Sequence, residues 1–147
     1  MRRLAKLSYA LFSWLFIAGV TIQVFLAGLV VVARQSTWEN HIGLGHLLGL
    51  PLLVMLVAMY LGKMPRQLKL MTWLLFVTYI IQADVLIFLR QAAPAASALH
   101  PVLALVDFAL GLALARRSLA ELRTAPDSAP AAEAVSGQLK PAQEKPA

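Results

Sequence analysis

Four long apolar runs, parted by short charged segments, decide what this chain can fold into. The first extends from Leu7 to Ala33, between Lys6 and Arg34. The second, Ile42 to Gly62, lies between Glu39 and Lys63 and is broken only by His46. Leu70 to Leu89, between Lys69 and Arg90, holds Asp84; a run from about Ala95 to Ala115, ahead of Arg116 and Arg117, holds His100 and Asp107. Crossing the roughly 30 Å hydrocarbon core as a helix takes about 20 apolar residues. In lipid every backbone N–H and C=O must be satisfied within the protein, and runs this long without period-2 alternation suit helices rather than barrel strands. The expected fold is all-α: a bundle of four transmembrane helices over about 7–33, 42–62, 67–90 and 96–116. The run behind Met1-Arg2-Arg3 far exceeds the roughly 7–15 apolar residues of a signal peptide and is expected to stay in the membrane.

Composition agrees, with 60% hydrophobic and 14% charged residues, against about 25% charged in a soluble domain. The net charge of +6 reflects topology rather than a nucleic-acid partner. Arg2, Arg3 and Lys6 precede the first helix, Lys63, Arg66 and Lys69 join the second to the third, and Arg116, Arg117 and Arg123 follow the fourth. The other two connections carry only Arg34 and Arg90. This positive-inside bias puts both termini and the middle loop in the cytoplasm. The chain has no cysteine, which excludes disulfides, thiolate catalysis, iron–sulfur clusters and covalent haem attachment. The domain expected over 1–123 ends in an Ala/Pro/Ser/Glu-rich segment, 124–147, too poor in large apolar residues to offset its ordering entropy and expected to be a disordered tail.

An offset of 59 residues lays the first two helices on the last two without a gap, matching Trp14 to Trp73, Ile22-Gln23 to Ile81-Gln82 and His41 to His100. Each unit holds two spans, so the copies share orientation and are related by a pseudo-twofold axis along the membrane normal. In a square bundle the second and fourth helices are then diagonal, and their first-turn histidines face each other across the axis.

Two imidazoles on opposed helices can take both axial positions of a haem iron. His41 and His100 are the expected ligands. His46, about 140° around the helix from His41 and roughly 7–8 Å deeper, is the alternative to His41, or a partner for a propionate or a carbonyl. Arg34 and Arg90, at the same end, are placed to meet propionates or lipid phosphate. Gln23 and Gln82 sit at matching depths, where an amide in lipid needs a partner on a neighbouring helix. Gly28, Gly43, Gly45 and Gly49 allow close approach or room for a ligand, and Pro51 is expected to kink the second helix. Asp84 and Asp107 are intramembrane carboxylates and hence functional candidates, and Asp107 follows His100 by two turns on the same face.

Gln23 with Ala27-Gly28, His41-Ile-Gly-Leu-Gly45-His46, Gln82, and Leu99-His100-Pro101-Val102 together resemble a family of small uncharacterised four-helix bacterial membrane proteins. That resemblance implies the fold and a bacterial plasma-membrane location. The order Gln, His, Gln, His is also similar to one four-helix half of haem A synthase, in which histidines of the second and fourth helices ligate haem b. The similarity points to His100 and to His41 or His46. Asp84-Val85 stands where that pattern continues with glycine, and a second half is absent, so oxygenation of a haem substrate is not implied.

The leading expectation is a non-enzymatic, cytochrome b-like module that binds haem b for electron transfer or for haem sensing or handling, as a homodimer or a subunit of a redox complex. The alternative is a cofactor-free membrane scaffold or small transporter subunit, with the Gln and Asp residues as interhelical glue. No nucleophile–base pair, phosphate loop or metal-hydrolase spacing points to an enzyme.

Overall fold

The computed structural model describes residues 1–35 and 37–123; the tail expected over 124–147 lies outside the described residues. Every regular element among the described residues is helical, and they join into four spans: α1 (Arg2–Ala33), α2 (Trp38–Leu61), α3 (Arg66–Leu89) and α4 (Pro94–Arg123). All four are long and apolar enough to cross a membrane, so the chain folds as a multi-pass four-helix bundle. The spans reach beyond the apolar runs because Arg, Lys, Gln and Glu at their ends favour helix and take it into the interface.

Helix α1 packs on α2 and α4, and α3 packs on α4 and α2. This leaves α1 opposite α3 and α2 opposite α4. Side chains reach across the first diagonal at two depths. The Tyr9 hydroxyl lies 2.6 Å from Thr72 Oγ1, and Phe16 meets Tyr79 edge to face at 6.3 Å. Thr72 gives its own proton to Leu68 O at 2.8 Å, so Tyr9 is the donor of the pair.

The repeat appears in the packing as well as in the letters. At the 59-residue offset, buried residues fall on buried residues: Ser13 on Thr72, Phe16 on Leu75, Leu52 on Gly111, Met55 on Leu114 and Met59 on Ser118. The exposed positions match too, with Trp14 and Trp73 41% and 43% exposed, and Leu15 and Leu74 48% and 51%. The two hairpins therefore turn the same faces inward around a shared axis.

Pro51 cannot donate to Leu47 O, and its ring crowds that carbonyl. Accordingly α2 breaks at Leu48, where one regular stretch (Trp38–Leu47) gives way to the next (Gly49–Leu61). The break delivers the Leu48 side chain onto Gly19 of α1, where a Cβ would come within 2.2 Å of Leu48 Cδ2. Two helices also contain one widened turn each, Leu29–Ala33 in α1 and Ile81–Val85 in α3, with i→i+5 bonding.

Candidate functional site

His41, in the first turn of α2, and His100, in α4, meet at the end of the bundle opposite the basic loops. Their ring centroids are 6.1 Å apart, with planes inclined at 63°. Each ring is held by the same contact. His41 Nδ1 lies 3.1 Å from Gln23 O, and His100 Nδ1 lies 3.0 Å from Gln82 O. A carbonyl only accepts, so Nδ1 carries the proton in both rings, and in a neutral ring Nε2 keeps its lone pair. Trp38 packs edge-on against His41 at 5.5 Å.

The α3 half of this arrangement follows from its widened turn. In a regular helix the N–H of Leu86 would bond Gln82 O, four residues back. It bonds Ile81 O instead, and Gln82 O turns to His100. In α1 the widened turn lies farther along, at Leu29–Ala33, so Gln23 O accepts His41 from within a regular helix.

The side chains of the two glutamines do something else. Gln82 Nε2 donates to Asp107 Oδ2 at 2.5 Å, and Thr78 Oγ1 bonds Asp107 Oδ1. Thr78 is also 2.9 Å from Leu74 O and 3.1 Å from Leu75 O. Asp107 is fully buried, tied by both oxygens to α3. Gln23 lies against Gly45, where a Cβ would come within 2.7 Å of its Nε2. The Oε1 atoms of Gln23 and Gln82 are buried and accept no hydrogen bond among the described residues. Tyr79 donates to Gly45 O at 2.8 Å and so pins α3 to α2 just below His41.

His46 points elsewhere. Its Nδ1 donates to Ile42 O of its own helix at 2.9 Å, and its Nε2 faces Asp84 Oδ1 at 3.8 Å. Both side chains are largely exposed on the α2–α3 face, away from the His41–His100 pair. Arg34, in the left-handed conformation that ends α1 (φ 55°), and Arg90, just past α3, are exposed at the histidine end, and neither is ion-paired among the described residues. Gly28 and Gly43 face open space, whereas Gly45 and Gly49 are close-approach positions for Gln23 and Tyr79.

Sequence reasoning singled out the histidines, glutamines and aspartates but missed Thr78 and Tyr79. Thr78 and Gln82 are four apart on α3, one turn of a helix, which is the spacing that lets both reach a single carboxyl. The main-chain role of the glutamines had no signal in the sequence. Among the described residues no three His, Cys, Asp or Glu side chains gather as a metal site.

No curated protein and no solved structure is detectably similar to the chain. Residues 23–87 match a family described as a family of unknown function (DUF6220). The match runs from the Gln23 that holds His41, through α2, to the end of the widened turn of α3 and just beyond, and stops short of His100 and Asp107.

Proposed function

We propose that the bundle is a haem b-binding membrane module, in which His41 and His100, on diagonal helices, would hold the iron. The observation that carries this reading is the matched pair of imidazoles, each anchored through Nδ1 to a glutamine main-chain oxygen with Nε2 left for a metal. Anchoring one ring nitrogen on a carbonyl fixes the tautomer and orientation of a ligand histidine. The two rings lie close to one another, with centroids 6.1 Å apart, so that one group could engage both. Two protein ligands are too few for a bare zinc ion, which takes about four, whereas haem iron brings four nitrogens of its own. When bound, haem would supply reversible one-electron chemistry at the iron.

The remaining residues divide by charge. Arg34 and Arg90 offer guanidinium groups to propionates at the same end. The Gln82 amide nitrogen is engaged by Asp107, whereas the Gln23 amide nitrogen is a donor that could serve a propionate. The asymmetric charge of the loops supports an orientation with the histidine end outward and both termini in the cytoplasm of a bacterial cell.

The test is an absorption spectrum of the purified chain, oxidised and reduced. A Soret band that is lost in His41→Ala and in His100→Ala but kept in His46→Ala is expected. Haem-free protein that is folded and helical would leave the cofactor-free scaffold as the function.

A further inference from the structure

His46 and Asp84 are the histidine and acidic side chains that the four apolar runs leave largely exposed, at 62% and 52% of their side-chain surface. His46 is eight residues into α2 and Asp84 five from the end of α3, roughly 8–12 Å inside the helix ends at 1.5 Å per residue. Ionisable groups at such depth are costly against lipid and are found facing protein or a watery cavity. Nothing among the described residues of the monomer covers this pair.

We propose that the α2–α3 face is the contact surface of a homodimer, in which His46 of each chain meets Asp84 of the second copy. Charge complementarity and symmetry argue for a second copy of this chain. A twofold axis along the membrane normal, passing just outside this face, sets α2 opposite the second copy's α3 and α3 opposite its α2. His46 and Asp84 share one depth, being 3.8 Å apart, so the rotation brings each opposite its complement. One pair thereby becomes a closed, isologous set of two acids and two imidazoles.

The same holds at the other end of the face, where Trp73 Nε1 donates to the Tyr60 hydroxyl at 3.0 Å. Tyr60 and Trp73 also belong to α2 and α3 and also share a depth. Between the two pairs Leu50, one turn from His46 on α2, and Val77, one turn from Trp73 on α3, are both exposed. This inference is independent of whether the His41–His100 pair binds haem.

The experiment uses the full chain in native-lipid discs. Its lack of cysteine lets single thiols be placed freely. Mass measurement should give twice 16.0 kDa for the wild type and for the exchange His46→Asp/Asp84→His, and at least a tenfold weaker dimer for His46→Asp alone, which faces acid with acid. Co-expressed His46→Cys and Asp84→Cys chains should cross-link to each other with a short bifunctional thiol reagent, and Phe25→Cys with Leu105→Cys should not. A monomeric wild type, a His46→Asp chain as dimeric as the wild type, or cross-linking through Phe25 and Leu105 in place of His46 and Asp84 would overturn the proposal.

Discussion

Asp107 occupies on α4 the slot that the repeat gives to Leu48 on α2, so a carboxyl replaces an alkyl group in otherwise matched cores. Its oxygens take Gln82 and engage Thr78, and an asparagine can do both, accepting from Gln82 and donating to Thr78. Asp107→Asn is therefore expected to leave thermal stability in detergent nearly unchanged. Asp107→Leu strands the Gln82 amide and should cost about 1–2 kcal/mol. Equal losses in the two variants would show that the network is not what stabilises the site. Glycines separate in the same way. Gly45→Ala brings a methyl against the far end of the Gln23 side chain, while Gly43→Ala meets nothing within 4 Å, so the second should raise the melting temperature through helix propensity and the first should raise it less. That Asp107 mattered was legible in the sequence, because a carboxyl amid apolar residues is costly in lipid. Its partners were not, because helical spacing fixes which residues share a face but not which faces meet.

The four spans were legible in number and order, since lipid forces long apolar runs into helices, but their ends run past the expected bounds, α1 starting at Arg2 and α4 ending at Arg123. The break ahead of Pro51 was legible too, whereas the widened turns were not. A widened turn saves no local bond, and in α3 the freed carbonyl finds another donor, as Gln82 O finds His100. Deleting Ala83 should restore the regular ladder, return Gln82 O to the N–H four residues on and weaken its hold on His100. The expected result is a lower melting temperature and loss of any haem absorption. Deleting Val31 from the α1 turn, which lies beyond Gln23, should preserve both. Across the α1–α3 diagonal, a double-mutant cycle of Tyr9→Phe and Thr72→Val should give a coupling of about 1 kcal/mol. A coupling near zero would mean that the buried hydroxyls do not act as a pair.

At the scale of the whole molecule the 59-residue offset already implied paired hairpins and diagonal histidines, because two similar hairpins that bury matching faces against each other pack around a common axis. By matching His41 to His100 it also favoured His41 over His46 as the inward histidine of α2; the helix phase that puts His41 on the axis puts His46 on the opposite flank. Orientation is open to thiol labelling of the cysteine-free chain. A membrane-impermeant reagent added to intact cells should reach Gln91→Cys and should not reach Gln67→Cys; the reverse pattern would invert the topology. The most direct test of the central claim, that His41 and His100 share one iron, is the low-temperature EPR spectrum of the oxidised protein. A low-spin ferric signal of two axial imidazoles, retained in His46→Ala and converted to high spin or lost in His41→Ala and in His100→Ala, is the expected result. A signal absent from folded wild-type protein, or one that persists unchanged without either histidine, would contradict it.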